Sequence, residues 1–95
     1  MSYIKLSIIN KHKKINKMKN YVVAIISFFE NQIKQYPVSA ENEYEALKIG
    51  LLNFTPEEHR ADEVDFQKSE NYPKTLDELE QYLADGDMSG NVIEI

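Results

Sequence analysis

Ninety-five residues with no cysteine, three glycines and a net charge of −5 make one small domain with a single core and little space for a buried active site. The absence of cysteine excludes disulfides, thiolate nucleophiles and thiolate zinc sites, and it fits a reducing, cytoplasmic setting. The charge is split along the chain: residues 1–17 hold five lysines and no acid, whereas residues 18–95 hold six basic against sixteen acidic side chains, a net of −10.

Residues 1–17 read as a basic leader preceding a single acidic α+β domain at 18–95. Two explanations fit the leader. It is a disordered arm that binds nucleic acid or the chain's own acidic surface, or it is sequence upstream of a natural start at Met18. "KHKKINK" has no aromatic interleaving, glycine turn or amphipathic period, which favours the second, and mobility is expected over residues 10–18. "YIKLSII", within residues 2–9, has the character of a short strand. Lysines followed by "VVAIISFF" and then "VSA" imitate a secretory leader, but the intervening "ENQIKQYP" is too long and polar for a cleavage region. The apolar run is also far short of the roughly 20 residues that span a bilayer.

"YVVAIISFF" is rich in β-branched and aromatic residues and apolar on both alternating faces, the pattern of a strand covered on both sides or in its middle. Glu30-Asn31-Gln32 reads as a tight turn, and "IKQYPVS" as the second strand of a hairpin. Pro37 cannot donate to a ladder and assigns that strand to an edge. Asn42 and Glu45 have capping-box spacing and open a helix whose buried stripe is Tyr44, Leu47, Leu51 and Phe54. Gly50 costs that helix about 1 kcal/mol relative to alanine unless a close approach requires it. Thr55-Pro56 ends it.

"PEEHRADE" reads as a polar loop or a short helical turn, and "EVDFQ", with Val64 and Phe66 on one face, as a third strand. "KSENYPK" is a loop. Thr75 and Glu78 form a second capping box, followed by a helix buried through Leu76, Leu79 and Leu83. "VIEI" closes the chain as a strand. The predicted fold is an α+β two-layer sandwich, a mainly antiparallel sheet in ββαβαβ order with two helices on one face.

Few motifs carry chemistry. "DGDMSGNVIEI" places Asp85, Asp87 and Ser89 at the first, third and fifth positions of a calcium loop and Gly90 at the sixth, resembling an EF-hand loop over eleven positions. The closing bidentate glutamate falls beyond Ile95, so only weak calcium binding is expected, and a polar turn without an ion accounts for the same residues. His59, in "EEHRADE", lacks a second well-spaced ligand and reads as an exposed loop histidine. No GxSxG and no phosphate-cradling glycine loop is present. Neither an enzyme nor a cofactor is expected.

The remaining signal is the acidic surface. Residues 56–95 carry twelve acids against Arg60, Lys68 and Lys74, which repels nucleic acid and attracts basic protein surfaces. Glu57, Glu58, Asp62, Glu63 and Asp65 are the candidate partner-binding residues. Tyr72, in the polar loop, is the candidate exposed anchor, since tyrosine is enriched at interfaces; burial in the core is the alternative for an aromatic in a short loop.

The hairpin followed by "VSAENEYEALKIGL", spanning Met18 to Phe54, resembles a β-β-α unit of small phage and mobile-element proteins. Short length, absence of cysteine, acidity and absence of catalytic motifs also resemble phage counter-defence proteins, including anti-CRISPR inhibitors. That resemblance implies an inhibitor or sequestering protein for a nucleic-acid-handling partner such as an RNA-guided nuclease, and it assigns no role to any numbered residue. Alternatives are a non-enzymatic adapter or structural module, as a homodimer joined through the edge strand at Tyr36–Val38, and a weak calcium-binding protein.

Overall fold

The computed structural model describes residues 18–95; the leader and the short strand read within residues 1–17 lie outside the described residues. Strands β1 (Lys19–Ser27) and β2 (Gln32–Ala40) form a hairpin. Helix α1 (Glu43–Phe54) follows, then a 3-10 turn at Glu57–His59, helices α2 (Arg60–Gln67) and α3 (Leu76–Asp85), and strand β3 (Met88–Glu94). The fold is α+β, with a three-stranded antiparallel sheet in the order β2-β1-β3. β1 is central and β2, with Pro37, is an edge, as the sequence implies.

The hairpin reverses through Phe28–Asn31, and Asn31 takes the left-handed conformation at φ 58°, a backbone region that asparagine tolerates better than most residues. Both predicted helix caps form. The Asn42 side chain accepts from the Glu45 amide at 2.9 Å and Thr75 Oγ1 from the Glu78 amide at 3.2 Å. Glu78 reaches back one residue further than a standard capping box, accepting from the Lys74 amide at 3.0 Å. Thr55, extended at ψ 130°, ends α1 ahead of Pro56.

Two expectations are corrected. "EVDFQ" is part of α2 and not a strand, giving three helices and three described strands. Val64 and Phe66 fit a two-residue period over five positions, but the half-buried set is Glu63, Val64, Phe66 and Gln67, which is helical spacing. Asp62 and Glu63 in the first turn also favour a helix start. The second correction concerns β1, which is buried on one face only. Tyr21, Val23, Ile25 and Ser27 are buried, whereas Val22, Ala24 and Ile26 are half-exposed. All the helices follow β2 without a return to the sheet until β3, and they lie on one side.

α1 spans all three strands, α3 lies over β3, and α2 leans on α1 without reaching the sheet. The core gathers Tyr21, Val23 and Ile25 from β1 with Leu47 and Leu51 from α1 and Leu79 and Leu83 from α3. Glycine permits the tightest approaches. A Cβ on Gly50 would lie 2.5 Å from Val23 Cγ1, and one on Gly90 would lie 2.7 Å from Leu47 Cδ1. Gly50→Ala therefore gains helix propensity and still loses stability, by about 1–3 kcal/mol from overpacking. Urea melts of Gly50→Ala and of Gly50→Ala with Val23→Ala check this: the single variant is destabilised, and the cycle shows favourable coupling between the two sites.

Candidate protein-binding surface

The acids are segregated by layer. Residues 41–87, which contain the helices and their loops, carry fourteen acidic and four basic side chains, a net of −10; the strand segments 18–40 and 88–95 carry two of each and are neutral. Twelve of the fourteen acids on the helical side are exposed, and Glu45 and Glu63 are half-buried.

The cations on that side leave most of this charge unopposed. Arg60 donates from Nε to the Leu52 carbonyl at 3.0 Å and from Nη2 to the Thr55 carbonyl at 2.9 Å, capping the end of α1. Lys74 Nζ donates to the carbonyls of Glu70 and Tyr72. Lys48 forms the one ion pair found among the described residues, with Glu45 at 3.6 Å. Lysine and arginine are thus directed largely to backbone oxygens, and the carboxylates face water.

The five predicted acidic residues divide accordingly. Glu57 and Glu58 stand on the 3-10 turn, and Asp62 and Asp65 follow on α2; all four are exposed. Glu58, Asp62 and Asp65 follow one another at helical intervals, so they share one flank. Glu63 points differently: it is half-buried, and its Oε2 accepts from Gln67 Nε2 at 3.0 Å, while the same amide nitrogen donates to the Lys48 carbonyl. Gln67 therefore ties α2 to α1, and Glu63 orients its amide. His59, at the end of the 3-10 turn, is exposed as expected.

Tyr72 is not an exposed anchor: it is 3% exposed and belongs to the core. Its ring meets Phe66 edge-on at 5.0 Å and 78°, with Lys48 Nζ 5.9 Å from its centroid. The loop is held inward next door, where the Tyr44 hydroxyl donates to the Pro73 carbonyl at 2.6 Å. The Tyr72 hydroxyl is buried without a hydrogen-bond partner. Burial, with Glu63 adding to it, pushes the phenol pKa above its usual value.

The sequence reading also missed an open groove of about 860 Å³ where the hairpin runs past α1. Phe29, Tyr36, Phe54 and Tyr82 line it with Arg60 and Glu63. Phe29 is 87% and Tyr82 47% exposed, and Tyr82 also contacts Phe66 at 5.8 Å. Burial raises the Tyr36 pKa, and the nearby Arg60 partly opposes this. In the sequence Tyr82 is marked by its residue type, common at interfaces, and by its place at the border of the leucine stripe of α3.

The calcium-loop reading is corrected. Asp85 is the last residue of α3 and accepts from Gln81 Nε2 at 2.9 Å. Asp87 is left-handed at φ 59°, and its carbonyl accepts from the Phe28 amide. Ser89 and Gly90 already belong to β3, opposite Ile26 and Ile25. A strand ladder has replaced the ligand loop, and no cluster of three or more metal-ligating side chains occurs among the described residues. No helix among them is long and apolar enough to cross a membrane. No family model, curated protein or solved structure matches the chain.

The two roles read for Tyr72 separate in stability measurements. Tyr72→Ala is expected to lose about 3 kcal/mol or more, whereas Tyr72→Phe stays within about 1 kcal/mol of the parent because it deletes an unbonded hydroxyl. A phenol whose pKa is raised by folding contributes stability that is fully present below about pH 10, the unfolded value, and lost as pH rises beyond it. Urea melts at neutral and strongly alkaline pH should therefore show Tyr72→Phe gaining on the parent protein as pH increases.

Proposed function

We propose that this chain is a non-enzymatic binding protein whose acidic helical side occupies the basic, nucleic-acid-binding surface of a partner, such as an RNA-guided nuclease, and thereby inhibits or sequesters it. The observation that carries this reading is the confinement of the net charge of −10 to residues 41–87 while the strands are neutral. A surface of one sign steers a partner of opposite potential and repels nucleic acid competing for the same groove. The size and composition of the chain, which resemble those of phage counter-defence proteins, add to the reading.

Glu57, Glu58, Asp62 and Asp65 supply charge on one flank, and the groove, whose own acids are Glu30, Glu63 and Asp87, supplies the anchors. Tyr82 and Tyr36 take the role that the sequence reading gave to Tyr72, since they offer accessible aromatic surface beside carboxylates. An arginine or lysine of the partner would place its alkyl stem against the rings and its charge at the acidic rim. Arg60 is held by the two carbonyls that end α1 and therefore shapes the groove wall instead of contributing a free cation.

Titration of a guide-free RNA-guided nuclease by interferometry tests the proposal. Raising salt from about 0.05 to about 0.3 M should weaken binding by roughly tenfold or more, and guide RNA should compete. The triple charge reversal Glu58→Lys, Asp62→Lys and Asp65→Lys should cost at least about tenfold, and Tyr82→Ala a similar factor. Binding indifferent to salt, guide RNA and charge reversal would overturn the acidic-surface reading.

A further inference from the structure

The face of the sheet turned away from the helices carries no charged residue. Strand register assigns each side chain to a face: Lys19, Lys34 and Glu94 share the helix-facing side with Tyr21, Val23 and Ile25. The opposite side is organised in cross-strand rows. Pro37, Val22 and Ile93 form one row and Gln35, Ala24 and Asn91 the next, with Ile33 and Ile26 beyond. Ile95 extends this face at the other end, its amide donating to the Asn20 carbonyl at 2.9 Å. Ile33, Ile93 and Ile95 are 69%, 64% and 73% exposed. These isoleucines lie at the two ends of the face, joined along β1 by the half-exposed Val22, Ala24 and Ile26, with the uncharged amides of Gln35 and Asn91 between them.

We propose that two copies of this chain associate through this outer sheet face, packed sheet against sheet with both helical sides pointing away. This surface is distinct from the acidic one, and the inference does not depend on the partner proposed above.

Charge selects the second copy as the occupant. Each copy bears its net −10 on the helical side, so a like-charged molecule is repelled wherever carboxylates would meet. The outer sheet face is the surface where that repulsion is weakest. Sheets pack about 10 Å apart, and with helices about 10 Å beyond each sheet the two acidic layers stand about 30 Å apart. That separation is nearly four Debye lengths at about 8 Å each, the value at physiological salt. Among the described residues the same face offers a cationic partner no carboxylate side chain and nucleic acid no cationic one.

Its size fits a reversible dimer. Strand rise and spacing make the patch roughly 23 by 14 Å, and protruding side chains raise the area each copy buries to the order of 600 Å², near the lower limit for a specific interface. A two-fold axis along β1 keeps each row facing itself and crosses β2 over β3. Ile93 then meets Pro37 of the second copy, and the Gln35 amide meets that of Asn91 over the small Ala24. The edge-strand alternative is disfavoured by Pro37, which removes a donor from the middle of β2.

Sedimentation equilibrium of the full chain from about 10 μM to about 1 mM tests this, the range in which an interface of this area is expected to titrate. The expected result is a monomer–dimer equilibrium that added salt leaves unchanged or strengthens, because salt screens repulsion between like charges. Ile33→Lys with Ile93→Lys should abolish the dimer while circular dichroism and thermal melts show an intact fold, since both positions are exposed. A monomer throughout the range would overturn the proposal, as would a dimer that survives the double substitution or dissociates as salt rises. Loss of nuclease binding with the dimer intact, or the reverse, separates this inference from the proposed function.

Discussion

The approach of α1 to β1 sets the geometry of the whole molecule. At Gly50 the helix backbone comes so near Val23 that a methyl group does not fit, and at Gly90 β3 leaves space for Leu47 in the same way. These two omissions of a side chain let Leu47 and Leu51 settle onto the sheet and bring α3 down over β3. A layer seated this closely excludes water from Tyr21, Val23 and Ile25, the portion of β1 that a domain of this size most needs to bury. The left-handed Asn31 and Asp87 then close the two reversals at the same end of β1.

One-sided burial in turn accounts for the electrostatics. With three helices over one face of three strands, solvent meets two chemically different surfaces. The helices need only an apolar stripe each, leaving their outer flanks free to carry carboxylates. Their basic residues cap carbonyls at the end of α1 and in the loop before α3, which structures those loops and leaves the acids unneutralised. The strands have no such polar flank available. Apart from Ala24 and Pro37, their outer positions are β-branched, amide or hydroxyl residues, and none of them is charged. The two surfaces therefore differ in electrostatics: potential of one sign on the helical side and near neutrality on the outer sheet face.

Much of the fold was legible because it is written in local chemistry. Asn42 and Thr75 announced their helices through cap spacing, Pro37 marked the edge, and Gly50 signalled either a cost or a close contact. What misled was short-range ambiguity. Val64 and Phe66 satisfy a strand period over five residues, and the deciding information, that Glu63 and Gln67 turn toward α1, depends on tertiary packing. Tyr72 in a polar loop looked exposed because nothing local reveals that Tyr44 holds Pro73 and so draws the loop inward. The calcium resemblance failed for a related reason: a spacing of alternate acids and glycines describes a ligand loop and equally a turn entering a strand, and pairing with β1 decides between them. The acidic cluster was visible as composition, but its confinement to one layer, and the neutrality of the other, required the strand register.

The position of β1 has an implication for biogenesis. It is the first strand of the described domain, yet one of its neighbours, β3, is the last; Ile25 pairs with Gly90 across the whole helical segment. During synthesis the hairpin and α1 can emerge and associate early, but β1 retains an open flank until the final strand has cleared the ribosome. A nascent chain stalled before Met88 would therefore display an unsatisfied ladder in its most apolar strand, exposing it to misassembly or chaperone capture. Docking of Met88–Glu94 against β1 is thus the step that closes the sheet, however early the hairpin and α1 have formed.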